Sequence, residues 1–131
     1  MVRRCACGIL IKDGRILLAK RSPGAKLYPD VWDMVGGHQE AGETLDATLR
    51  REFEEEIDVS PTEFSRLAVI DEPAPEINGK RAYHVYGITE WRGPGPAMRG
   101  DEHTEIHWFT LAEALALDLA LPEYRAVLKC L

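Results

Sequence analysis

The chain has 131 residues, enough to build one hydrophobic core and too few for two, so one domain over residues 1–131 is expected. Hydrophobic residues make up 45% and charged residues 29%, a globular mix that excludes disordered, collagen-like and disulfide-scaffold classes. Sixteen Lys and Arg stand against 22 Asp and Glu, a formal charge of −6, which is the wrong sign for a surface that grips a nucleic-acid polymer.

The start, Met1-Val2-Arg3-Arg4-Cys5, is cut off by Lys12-Asp13-Gly14 and does not read as a signal peptide. No apolar run approaches the roughly 20 residues of a membrane span, so no membrane partner is expected. Residues 2–11 read as a strand and Asp13-Gly14 as a hairpin turn, with Ile16-Leu17-Leu18 continuing as a second strand. Cys5 and Cys7 then share one face of the first strand, where apolar packing is the simple reading. With Cys130 they make three cysteines and no CxxC pair, which points to a reducing, cytoplasmic setting.

Ser22 to Asp30 reads as a surface loop, and Trp32 to Val35 as a short strand broken by Gly36-Gly37. The longest helical pattern runs from Thr44, a candidate N-cap, to Ile57, with Ser60-Pro61 ending it. Leu67–Ile70 and Ala82–Thr89 read as strands joined through a turn at Asn78-Gly79. Arg92 to Asp101 is rich in Gly and Pro and reads as a long flexible loop; Ile106–Phe109 is a strand. Thr110 to Glu113 matches a capping box opening a second helix, and Pro122 opens a last one to about Cys130. Strands that surround the helices without strict alternation predict a mixed sheet with helices on its faces.

The informative segment is the helix 44–57. Leu45, Leu49, Phe53 and Ile57 form its apolar stripe, and Glu54 points away from it. Glu52, Glu55 and Glu56 fall on one arc of about 100°, with Glu56 between Leu45 and Leu49. A solvated acidic face, with Arg51 pairing to Glu55 at i,i+4, accounts for Glu54 and Glu55. It leaves Glu56 unexplained, because a carboxylate on the core side is costly without compensation. A divalent cation among the three carboxylates supplies that compensation, and hard Mg²⁺ or Mn²⁺ suits oxygen ligands and substrate phosphates.

Taken with the loop before it, the segment places Gly37, Glu43, Arg51, Glu52, Glu55 and Glu56 at the spacing G-x5-E-x7-R-E-x2-E-E. This resembles the Nudix box of the Nudix hydrolases, with Asp58 standing where the consensus has glycine and Val35-Gly36-Gly37 where Pro-Gly-Gly is usual. Similarity to MutT-like members extends to the opening strands, Trp32 and Trp108-Phe109. The resemblance implies an α/β fold, an α/β/α sandwich with a mixed central sheet, and Mg²⁺-dependent hydrolysis of a nucleoside diphosphate linked to another group. Carried over by position, Glu52, Glu55, Glu56 and the Gly37 carbonyl would hold metal, with Glu52 as the base and Arg51 and Glu43 orienting the carboxylates. Glu102 matches a further metal-reaching glutamate, with Glu105 as second candidate. The expected partner is a small nucleotide, bound by a monomer or homodimer; the alternative is a non-catalytic nucleotide sensor of the same fold.

Other residues carry weaker signals. Tyr124 falls where MutT-like enzymes read the base with asparagine, which argues against an 8-oxoguanine preference. His103 and His107 are four apart but approach a strand, so packed or solvated rings are expected rather than a zinc pair. His38 is placed equally well against phosphate or in water. Lys20, Arg21 and Arg81 read as solvated cations with phosphate binding as the alternative, and Tyr28, Tyr83 and Trp91 as core aromatics or base-stacking platforms. Pro73 and Pro75 sit near where ADP-ribose-cleaving relatives carry a proline.

Overall fold

The computed structural model describes every residue from Met1 to Leu131. Strands β1 (Arg3–Lys12) and β2 (Arg15–Arg21) meet at Asp13-Gly14, where both residues take positive φ (53° and 74°) as a two-residue hairpin requires. They stay paired only at Ile11–Ile16 and Lys12–Arg15, then part. Beyond that point β3 (Trp32–Asp33) takes over the edge of β2, and β4 (Val35–His38) takes over the edge of β1. On its other side β1 pairs in parallel with β6 (Arg81–Arg92), which pairs antiparallel with β5 (Ser60–Asp71). The free side of β2 carries β7 (His103–Thr110), also antiparallel. The result is a mixed sheet of seven strands, split where β1 and β2 diverge.

Alternation along β1 and β2 creates two cores. Ala6, Leu10, Leu17 and Ala19 point to one face and meet Leu45, Leu49, Phe53 and Ile57 of α1 (Leu45–Ile57). Cys7, Ile9, Ile16 and Leu18 point to the other and meet α3 (Leu111–Leu115) and α4 (Tyr124–Lys129) through Ala114, Val127 and Leu128. This is the α/β/α sandwich with a mixed central sheet. No helix is long and apolar enough to cross a membrane. Leu49, fully buried between α1 and the sheet, is expected to cost about 3 kcal/mol on Leu49→Ala, read as a shift of the urea unfolding midpoint.

Four expectations need correction. Gly36-Gly37 does not break a strand: both lie within β4, opposite Cys7 and Ala6, because glycine lets that strand press against its neighbours. Ser60-Pro61 starts a strand as well as following the helix, and β5 runs for 12 residues. Pro61 is tolerated because β5 is an edge strand, and its exposed polar residues hid its length. Asn78-Gly79 is no two-residue hairpin; one helical turn, α2 (Pro75–Asn78), precedes Gly79 at φ 79°. The two C-terminal helices are shorter than their patterns, five and six residues, although the capping box of Thr110 and Glu113 forms fully.

Candidate active site

Helix α1 starts at Thr44, whose side chain accepts from the Ala47 N–H at 3.1 Å. It stops at Asp58, which takes the left-handed conformation (φ 63°) more often given to glycine. The carbonyls at this end would be orphaned in an isolated helix. Here the segment after β6 satisfies them: Gly95 N–H donates to Asp58 O (3.0 Å), Ala97 to Ile57 O (2.9 Å) and Arg99 to Glu56 O (2.8 Å). The long loop read as flexible is therefore tied along the helix end. That tie brings Glu102 and His103 beside Glu56.

Arg51 organises the other half. Its guanidinium grips both Glu43 oxygens (2.7 and 3.0 Å) and donates to Glu52 Oε1 at 2.8 Å, to the His38 carbonyl at 3.2 Å and, more loosely, to Glu55 at 3.5 Å. Glu43 also accepts from the Glu40 N–H and the Thr48 hydroxyl. Arg51 holds the Glu43 carboxyl down to about 2. One arginine thus fixes the glycine loop, the first turn of α1 and the carboxylate of Glu52 to one another.

Glu52 and Glu56 are buried, at 8% and 7% exposure, as the wheel anticipated for Glu56. Glu52 lies against Gly37, so closely that a side chain on Gly37 would overlap its carboxylate. Burial pushes the Glu52 carboxyl up to about 6, opposed by Arg51 and reinforced by the charges of Glu102 and Glu55. Glu102 is raised by burial and by Glu56. Glu56 Oε2 has no hydrogen-bond partner, and neither has Nε2 of buried His103. Unpartnered buried polar atoms cost about 1–3 kcal/mol each. Ligand atoms of Glu56, Glu102 and His103 all lie within 4.8 Å of one another. Buried, under-satisfied carboxylate oxygen beside further carboxylate is a donor set that fits a hard divalent cation.

Next to these groups the split between β1 and β2 opens a cleft of about 450 Å³. Gly37, His38 and Glu102 line it, and the charges of Arg21, Lys26 and Arg81 face those of Asp33, Asp101 and Glu102. Its wall carries Tyr83, Tyr124 and Asp33. Tyr124 is 3% exposed and donates its hydroxyl to Asp33 Oδ1 at 2.8 Å. Asp33 also accepts from the Met34 N–H and pairs with Arg21 at 3.4 Å, while burial raises its carboxyl.

The sequence profile described as the NUDIX domain matches residues 1–130. The chain belongs to the NUDIX family. Its split sheet superposes on a MutT NUDIX hydrolase from Burkholderia pseudomallei with a TM-score of 0.85, at 26% identity over 98% of this chain and 97% of that one. The NUDIX domain of Shewanella oneidensis NrtR, solved with ADP ribose, gives a TM-score of 0.80 at 18% identity, covering 99% of this chain and 86% of that one, a likeness of fold alone. A curated relative, nucleoside triphosphatase NudI from Enterobacter sp. (strain 638), is 38% identical over 55 residues, which is 42% of this chain. That match spans only 39% of the length of NudI.

Within this NUDIX domain the residues singled out from sequence divide clearly. Gly37, Glu43, Arg51 and Glu52 form one contact network, and Glu56 with Glu102 another. Glu55 remains outward, its side chain 56% exposed, so only two of the three helix carboxylates turn inward. Glu105 faces away, paired with His107 at 3.0 Å. Lys20 turns to Asp30, and Trp91 stacks on Trp108, both away from the cleft. Tyr28 and Tyr83 both donate to Glu72, at 2.6 and 2.7 Å, while Pro75 merely opens α2. Asp33 gave no signal in the sequence, since its partner Tyr124 is 91 residues away.

Proposed function

We propose that this chain is a nucleotide diphosphohydrolase of the MutT-like kind, with Mg²⁺ or Mn²⁺ as cofactor. The observation that carries the reading is the pair of buried glutamates, Glu52 and Glu56, set one helical turn apart and reached from the cleft through Gly37, which lies against Glu52, and Glu102, which lies beside Glu56. Gly37, Glu52, Glu55, Glu56 and Glu102 would hold the metal, which when bound neutralises diphosphate oxygens and assists attack by water. In the reaction, water adds at one phosphorus, the bridging P–O bond breaks, and Glu52 takes the proton of the water. Arg51 and Glu43 hold Glu52 in position. The cleft lined by Tyr83 and Tyr124 is of a size to take the nucleoside, with Arg21, Lys26 and Arg81 available to its phosphates.

The NudI name adds nucleoside triphosphates to the substrates to be tried. We take residues 1–131 as one folded unit acting in a reducing, cytoplasmic setting, in keeping with three unpaired thiols. The test is a panel of nucleoside triphosphates and nucleoside diphosphates linked to sugars, each with Mg²⁺ at neutral and alkaline pH. Release of phosphate or pyrophosphate from a triphosphate, or of nucleoside monophosphate and sugar phosphate from a sugar-linked diphosphate, is expected for at least one. The rival reading, a nucleotide sensor, draws on the ADP-ribose complex of the similarly folded Shewanella domain. It is favoured if calorimetry detects binding across the same panel while no substrate turns over.

A further inference from the structure

Two buried carboxylates, Glu72 just after β5 and Glu56 in α1, have opposite surroundings. Glu72, 4% exposed, accepts from the hydroxyls of Tyr28 and Tyr83, the Asn78 amide and the Ala74 N–H. Glu56, 7% exposed, has an oxygen that nothing in the chain satisfies. His103 Nδ1 lies 3.5 Å from that oxygen without forming a hydrogen bond to it. His103 is itself 4% exposed and has a second nitrogen without a partner. It follows Glu102 directly, and the main chain there is fixed by the Ser22 N–H donating to Glu102 O at 2.9 Å. Close approach of this segment to Glu56 is possible because Gly100 has no side chain; a Cβ there would overlap the Glu56 carboxylate.

A buried imidazole and two carboxylates within ligand distance, with lone pairs uncommitted, make a donor set of mixed type. We propose that Glu56, Glu102 and His103 form a mixed oxygen–nitrogen cation position that favours a divalent transition-metal ion such as Mn²⁺ over Mg²⁺. The proposal rests on the metal-dependent reading above and goes beyond it in assigning His103 as a ligand. Mg²⁺ gains little from exchanging a water for imidazole, whereas affinity at nitrogen-containing sites rises along the first transition series. Carboxylates alone would bind both ions with small discrimination. The imidazole is what separates them.

The test is pulsed electron paramagnetic resonance of Mn²⁺ bound to the full chain, followed by Mn²⁺ titration with Mg²⁺ competition. Modulation from an imidazole nitrogen is expected in the unaltered protein and absent in His103→Gln. In that variant Mn²⁺ should bind about tenfold or more weakly, with Mg²⁺ affinity changed by less than about twofold. Absence of nitrogen coupling in the unaltered protein overturns the proposal without any variant having to fold. So does coupling that survives His103→Gln, or an equal loss of both ions. If a nucleotide is still hydrolysed with Mg²⁺ while no nitrogen coupling is found, the hydrolase reading stands and the His103 assignment falls.

Discussion

Glu52→Gln is expected to lower nucleotide turnover by about 10³-fold or more while leaving the fold intact. The amide has the same shape, and its oxygen can still accept from Arg51, which lies 2.8 Å from Glu52 Oε1. What it loses is the negative charge and the capacity to take a proton. The same substitution tests the burial of that charge in protein stripped of metal. With its folded-state carboxyl near 6 against the ordinary 4.5, Glu52 holds its proton more tightly folded than unfolded. Its contribution to stability is therefore full below about 4.5 and is lost as the pH rises through 6. The loss amounts to about 2 kcal/mol for a carboxylate this buried. Metal-free protein should melt at lower temperature at pH 7.5 than at pH 5 through this group, and Glu52→Gln should remove that part of the slope. Should the variant keep more than a tenth of normal turnover, Glu52 is neither the base nor an essential ligand.

The parts of this site that could be read from sequence are those in which a residue contradicts its own local pattern. Glu56 on the apolar side of α1 is such a contradiction, and it marks the place where helix and chemistry meet. The capping residues Thr44, Thr110 and Glu113 were legible for a similar reason, since their side chains act within four residues of themselves. Glu55 shows the limit of wheel geometry: it shares an arc with Glu52 and Glu56, but no strand or loop covers that edge of the helix, so it stays in water. The approach of residues 95–100 to α1 depends on main-chain donors and carbonyls, which carry no residue signature. For that reason Glu102 could be nominated only by resemblance, and His103, weighed only as a zinc partner of His107, reads from sequence as a packed or solvated ring. Asp33 and Tyr124 meet only after the whole sheet has formed, and short-range periodicity does not reach across 91 residues.

Gly37→Ala separates the chemistry of this site from its scaffold, and is expected to lower turnover by about 10²-fold. The new Cβ would fall on the Glu52 carboxylate, the far end of a side chain that can swing aside. The strand pairing of Gly37 with Ala6 can persist, since alanine is tolerated in an extended strand. The melting temperature should therefore move by only a few degrees, and the cost should appear in kcat, because Glu52 is displaced from Arg51 and from the reacting centre. Gly36→Ala is the informative contrast. There the Cβ would meet the Ala6 carbonyl and the Cys7 α-carbon, main-chain atoms of β1 that cannot yield without separating β4 from the sheet. That variant should lose stability and activity together. Neighbouring glycines in one strand thus serve different ends: Gly36 allows the sheet to close, and Gly37 allows a buried carboxylate to stand where a cation can reach it. Equal melting temperatures and equal kcat for the two variants would contradict this division.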